Sequence, residues 1–154
     1  SQVRILGPTR PFSQIEISLT DARRTLKINA PYRLSGDIKN TPGIILIGPM
    51  GEVTLNQGVI IAKRHLHITY EEAEQLNVSN GESIAIVVQG ERKTTYHDVV
   101  VRTGPYNTTR LAVHLDTDEG NSSFTNGETY GKIRFECSNC HGLYKFKEQA
   151  QNCC

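Results

Sequence analysis

His65 and His67 stand two residues apart in the run Val59-Ile60-Ile61-Ala62-Lys63-Arg64-His65-Leu66-His67-Ile68-Thr69. On an extended strand, residues i and i+2 share a face, so both imidazoles can aim at one point. Imidazole is the commonest side-chain metal ligand. A third candidate, His114, closes Leu111-Ala112-Val113-His114 and leads into the polar run Asp116-Thr117-Asp118-Glu119-Gly120-Asn121. Three nitrogens that leave positions open for water or substrate make a catalytic rather than a structural zinc site. The alternative is a pair of strand histidines on a solvated face. Asp116 fits either a carboxylate that orients an imidazole or part of an acidic turn. For Asp118 and Glu119 the solvated turn is the expectation.

Other residues invite chemistry of a different kind. Arg10 follows Gly-Pro-Thr, and a guanidinium in such a turn can hold phosphate through two hydrogen bonds; taken alone it reads as a surface arginine. Glu16 is a carboxylate on the strand-like stretch Gln14-Ile15-Glu16-Ile17-Ser18, opposite Ile15 and Ile17, where a salt bridge is the alternative to ligation. Ser35-Gly36-Asp37 can donate backbone and hydroxyl groups to an anion, or be a plain turn. The sequence contains no phosphate-binding Walker loop, dinucleotide fingerprint or Gly-x-Ser-x-Gly elbow. Cys137-Ser138-Asn139-Cys140-His141 has the spacing of c-type haem attachment. Cys137, Cys140, Cys153 and Cys154 together offer a zinc clasp instead, although adjacent Cys153 and Cys154 are poorly placed to ligate one ion. The expectation is an irregular tail.

The elements that must position these groups are short. Val3–Leu6 and Gln14–Ser18 read as strands, separated by a turn at Gly7-Pro8. Ser18 caps one or two helical turns over residues 20–26. Ile44–Ile47 and Glu52–Leu55 are strands around Gly48-Pro49-Met50-Gly51, and Asn56-Gln57-Gly58 turns into the histidine strand. Thr69 with Glu72 forms a capping box for a helix over residues 71–76. Strands follow at 83–88, 95–102, 111–115 and 130–135, the last after a turn at Asn126-Gly127. Ile15-Glu16-Ile17-Ser18-Leu19-Thr20-Asp21-Ala22 lines up with Leu66-His67-Ile68-Thr69-Tyr70-Glu71-Glu72-Ala73, two strand-to-helix corners with Glu16 and His67 in matching places. Short strands and Gly/Pro turns predict a mainly β fold with short helices, rich in barrels.

At 154 residues the chain suits one compact domain or two small barrels. Seventeen basic and 16 acidic residues leave a net charge of +1, so bulk charge points to neither a nucleic-acid nor a membrane partner. The apolar runs are far too short to span a bilayer. All four cysteines lie from Cys137 onward; a body without cysteine suits the cytoplasm.

Several motifs in order resemble one family. These are Val3-Arg4-Ile5-Leu6-Gly7-Pro8-Thr9-Arg10, Gln14-Ile15-Glu16-Ile17-Ser18, Arg33-Leu34-Ser35-Gly36-Asp37 and Ile47-Gly48-Pro49-Met50-Gly51. Ala62-Lys63-Arg64-His65-Leu66-His67-Ile68-Thr69 and His114-Leu115-Asp116-Thr117-Asp118-Glu119-Gly120-Asn121 complete the set. Together they resemble the PduL-type phosphate propanoyltransferases, the phosphotransacylases of bacterial microcompartments, over residues 3 to about 135.

The resemblance implies two β-barrels with short helices, two zinc ions, and the reversible conversion of acyl-CoA (propanoyl-CoA or acetyl-CoA) plus phosphate into acyl phosphate plus coenzyme A. It implies that His65, His67 and His114 bind one metal and Glu16 the other. Arg10 would be the catalytic arginine and Ser35 a phosphate-side residue, with Arg4, Leu6 and Asn121 lining the coenzyme A site. Direct attack by metal-bound phosphate, without an acyl-enzyme, is the expected mechanism. Residues 1–58 would belong to the central barrel, incomplete here, 59–136 to the second barrel, and 137–154 to a Cys-containing tail. The family's earlier Arg-His-x-His strand has no counterpart in this chain. An upstream segment on another chain would complete the site; the other expectation is a non-catalytic homologue that binds metal or coenzyme A as an assembly module. Gly120 stands where the family usually has Ala. Self-association and location in the cytoplasm or a microcompartment lumen are further implications.

Overall fold

The computed structural model describes residues 3–7, 9–106, 109–125 and 129–153. The turn residues Pro8, Asn126 and Gly127, and the last cysteine, Cys154, lie outside the described residues. The chain divides into two compact units, Ser1–Ala62 and Lys63–Cys154. Strands dominate both, and the helices are short.

In the first unit, β1 (Ile15–Glu16) and β2 (Tyr32–Arg33) flank β5 (Val59–Ala62), both parallel to it. Val59 and Ile61 pack with Ala22 and Ala30, and Ile15, Ile17, Ile28 and Ile44 lean on that cluster. This pairing sets the division after Ala62 rather than before Val59: the run that leads into the histidines has its ladder partners in the first unit. β3 (Ile44–Gly48) and β4 (Gly51–Leu55) form a two-stranded hairpin closed by Pro49-Met50. Its Ile47 and Met50 are 83% and 97% exposed, so the apolar pattern there does not mark a core strand. Val3–Leu6 pairs with no strand among the described residues and stays exposed; alternation supplies a face but not a ladder.

In the second unit, six strands lie in the order β11-β10-β7-β8-β6-β9. They are β6 (His65–Thr69), β7 (Ser83–Val88), β8 (Thr94–Gly104), β9 (Ala112–His114), β10 (Gly131–Glu136) and β11 (Leu143–Tyr144). β6 is parallel to β8 and antiparallel to β9. Leu66 and Ile68 point into a core with Val78, Ile84, Ile86, Val99 and Val101. Burying each such side chain stabilises the fold by roughly 1.5–3 kcal/mol, so the register of β6 is firmly fixed. A one-residue slip would exchange the two faces, turning His65 and His67 into this apolar core and Leu66 and Ile68 out of it. Neither this sheet nor the three-stranded one closes on itself among the described residues.

The two strand-to-helix corners recur in three dimensions. In the first, the Asp21 N–H donates to Ser18 Oγ at 3.1 Å, and the chain winds at π pitch over Asp21–Leu26. In the second, Thr69 Oγ1 accepts from the Glu72 N–H at 3.1 Å while the Glu72 carboxylate accepts from the Thr69 N–H at 3.0 Å. That reciprocal box starts α1 (Tyr70–Gln75). Ala22 and Ala73 are buried beneath the respective turns. Each corner follows a strand with a parallel neighbour, β5 for β1 and β8 for β6.

A second capping box opens α2 (Thr117–Ser122), where a solvated turn was expected. The Asp116 carboxylate accepts from the Glu119 N–H at 2.8 Å, and Glu119 accepts from the Asp116 N–H at 3.1 Å. The tail is not irregular either: β11 pairs antiparallel with β10, and α3 (Lys147–Gln151) places Ala150 in the main core. Among the described residues no helix is long and apolar enough to cross a membrane.

Candidate functional site

His65, His67 and His114 converge. β6 puts His65 and His67 on the face opposite Leu66 and Ile68, and the antiparallel register sets His65 directly across from His114. The ring centroids of His65 and His114 lie 4.8 Å apart, those of His67 and His114 4.6 Å. His65 Nε2 is 3.1 Å from His67 Nε2. One ligand nitrogen from each of the three fits within a 4.8 Å span. A tetrahedral zinc with metal–nitrogen bonds of about 2.05 Å spaces its nitrogens about 3.3 Å apart, so the separation of the first pair suits joint ligation.

Burial and hydrogen bonding set the ring orientation. His65 is 5% exposed, and its Nδ1 lies 2.8 Å from the Lys63 carbonyl oxygen. A carbonyl only accepts, so Nδ1 carries a proton, and in the neutral imidazole Nε2 presents its lone pair. That is the arrangement by which a backbone carbonyl fixes a ligating histidine. His67 is half-buried and His114 exposed, which leaves an open side for a small molecule.

The next layer was only partly legible. Arg64 Nε lies 3.3 Å from a Glu119 carboxylate oxygen, and its guanidinium sits 5.6 Å from the Tyr96 ring centroid. The Tyr96 hydroxyl donates to the Glu119 carbonyl. Glu119 is therefore an anchored, half-buried residue and not a solvated one. Burial pushes its carboxyl above the usual range, while the Asp116 N–H and Arg64 pull it back. The ties bind α2, and with it the segment that follows His114, to Arg64 just ahead of β6 and to Tyr96 on β8.

The first unit holds the other candidates. Gln14 joins two of them: its amide nitrogen donates to Glu16 at 2.6 Å and to Ser35 Oγ at 2.9 Å, and its amide oxygen accepts from the Gly36 N–H at 2.6 Å. Glu16 and Ser35 thus share a polar patch at the ends of β1 and β2. Sequence reasoning passed over Gln14; its place two residues from Glu16 on one strand face was the available signal. Arg4, Leu6 and Arg10 lie exposed in the segment before β1, and Asn121 is exposed on α2.

The tail brings Cys137, Cys140 and Cys153 together. Donation from the Cys140 backbone, then from Cys153 and the Asn139 N–H, pulls the Cys137 thiol down to about 6. Contact with Cys153 and Cys140 pushes the Tyr144 phenol up.

Comparison with known proteins places the chain in a family. The model of the phosphate propanoyltransferases matches residues 1–126. The chain is similar to the phosphate propanoyltransferase of Citrobacter rodentium, with 50% identity over 122 residues, 79% of this chain and 57% of the relative. Similarity to that of Escherichia fergusonii is 46% over 123 residues, 79% of this chain and 57% of the relative. For Levilactobacillus brevis it is 45% over 132 residues, 85% and 62%. The chain belongs to the phosphate propanoyltransferase family. It spans about three-fifths of the length of these relatives, 57% to 62%.

Proposed function

We propose that the chain acts as a phosphate acyltransferase, turning an acyl-CoA (propanoyl-CoA or acetyl-CoA) and inorganic phosphate into an acyl phosphate and coenzyme A. The convergence of His65, His67 and His114 in a chain of this family carries the reading. In the reaction a phosphate oxygen forms a bond to the thioester carbonyl carbon and the carbon–sulfur bond breaks. The acyl group leaves on phosphate, and the proton of hydrogen phosphate ends on the coenzyme A thiol. No covalent acyl-enzyme intervenes.

The residues divide the work. His65, His67 and His114 would hold a zinc ion, and Glu16 would contribute to a second. A zinc ion held there would supply Lewis acidity for the acyl oxygen and for the departing thiolate. Arg10 binds phosphate through its paired guanidinium donors and neutralises charge as the new bond forms. Ser35, oriented by Gln14, donates to phosphate. Arg4, Leu6 and Asn121 contact coenzyme A. In this reading residues 1–58 together with β5 belong to one β-barrel of the complete enzyme, the stretch to 136 to a second, and 137–154 to an appended tail. Its partners are acyl-CoA, phosphate and further copies of the chain, and its place is the cytoplasm or a microcompartment lumen.

The test is coenzyme A release from propanoyl-CoA with and without phosphate, on the parent and on Arg10→Ala. Phosphate-dependent release that disappears in Arg10→Ala with zinc content unchanged supports the assignment. Release of equal rate in Arg10→Ala would remove Arg10 from the phosphate role. Zinc at the histidines without release from the parent would favour a metal-holding module over an enzyme.

A further inference from the structure

The last element of the fold lies beyond the stretch matched by the family, which ends at residue 126. β10 and β11 form an antiparallel hairpin, with Phe135 opposite Tyr144 and Glu136 opposite Leu143. Its loop is Cys137-Ser138-Asn139-Cys140-His141-Gly142. The loop is tightly wound: the His141 N–H donates to the Cys137 carbonyl and the Cys137 N–H to the Gly142 carbonyl, both at 3.0 Å. His141 adopts a left-handed φ of 56°. A Cβ on Gly142 would come within 3.3 Å of Cys140 Sγ and 3.0 Å of the Tyr144 ring, so glycine lets the chain turn back under the sulfur. The Asn139 N–H points at Cys137 Sγ at 3.4 Å. The backbone thus wraps one sulfur and presents the other.

The third thiol arrives from a different element. α3 is anchored by Ala150 in the core and by Lys147 Nζ, 2.8 Å from Glu82. Just past it, Cys153 Sγ lies 3.6 Å from Cys140 Sγ. The three sulfurs fall within 4.8 Å of one another. A tetrahedral zinc with metal–sulfur bonds of about 2.3 Å spaces its sulfurs about 3.8 Å apart. A disulfide would need about 2.05 Å between the two sulfurs.

We propose that Cys137, Cys140 and Cys153 bind a zinc ion as three thiolates, clasping the β10–β11 hairpin to the end of α3. The pattern is a Cys-x2-Cys hairpin loop plus a distant cysteine, the donor set of a closed structural site with one position left for a fourth ligand. His141 is not that ligand through Nδ1, which lies 2.8 Å from Glu136. Haem attachment through the same two cysteines is disfavoured because Cys137 is 2% exposed. This site is separate from the three histidines, which supply only nitrogen donors, and it stands or falls independently of the acyltransferase reading.

The experiment uses the whole chain, purified under reducing conditions and loaded with cobalt(II) as a zinc stand-in. Thiolate ligands give cobalt a sulfur-to-metal charge-transfer band in the near ultraviolet; imidazoles do not. The expected result is that band in the parent and in His65→Ala, and its loss in Cys140→Ser/Cys153→Ser with one fewer zinc equivalent per chain. Because those variants can misfold, the parent spectrum stands as a test by itself: absence of the band in the reduced, cobalt-loaded parent overturns the proposal. So does a band that survives the double substitution. Thiol titration that finds Cys140 and Cys153 joined as a disulfide in zinc-loaded protein also overturns it.

Discussion

Replacing Asp116 by Ala should loosen the segment that follows His114 without removing a metal ligand. The Asp116 carboxylate accepts the Glu119 N–H at 2.8 Å, and the reciprocal bond to Glu119 spans 3.1 Å. Alanine deletes the first bond and leaves a helix-terminal N–H without its acceptor. Loss of such a cap costs about 1 kcal/mol, which is roughly a fivefold rise in the local opening equilibrium. If the whole chain melted as one unit, the midpoint would fall by about 2–4 °C. Amide hydrogen exchange is the sharper assay, because the Glu119 N–H and the Gly120 N–H, which donates to the Asp116 carbonyl at 2.9 Å, report on α2 directly. Both should exchange about fivefold faster in Asp116→Ala. Asp116→Asn keeps an acceptor and should stay within a few tenths of a kcal/mol of the parent. Zinc content should not change in either. Parent-like exchange at Glu119 in Asp116→Ala, or an equal loss in the asparagine variant, would refute the reasoning.

Three further outcomes follow from the same contacts. Burial holds the Glu119 carboxyl above its usual range, so folding favours its protonated form. That contribution is present below the unfolded value and fades as pH rises through the folded one. Chemical denaturation at about pH 4 and pH 7 should therefore find Glu119→Gln gaining on the parent as pH rises; the opposite trend would mean that the Arg64 pair outweighs burial. His65→Ala should lose one zinc equivalent by elemental analysis while its far-ultraviolet spectrum stays that of the parent. Ile68→Ala, at a fully buried position next to His67, should cost about 2–5 kcal/mol and lower the denaturation midpoint, and a neutral result would contradict the packing beneath the histidines.

The histidine cluster was legible because a period of two is enough to put His65 and His67 on one face, and Leu66 and Ile68 on the other. Its third member needed the sheet: only the β6–β9 register brings His114 opposite His65. Thr69-x-x-Glu72 declared its helix through a capping box of familiar types. The same box built from Asp116 and Glu119 went unread, since an acidic, glycine-containing run also describes a solvated turn. Nor does the local run show that Glu119 meets Arg64, a residue far away in sequence. Glu16 and Ser35 were singled out separately, but the Gln14 amide that joins them leaves no mark in composition. The strands read at Ile44–Ile47 and Glu52–Leu55 form as a hairpin, whereas the one read at Val3–Leu6 does not, because apolar patterning does not name a partner. The tail reversed the error: without a periodic signal it still folds, through the β10–β11 pairing and one buried alanine on α3.

The most direct test of the central claim is zinc stoichiometry on the parent and on His65→Ala, His67→Ala and His114→Ala, measured beside phosphate-dependent coenzyme A release from propanoyl-CoA. Each single substitution should remove the same one equivalent of zinc and the phosphate-dependent release with it. Full zinc content and undiminished release in any of the three would contradict it.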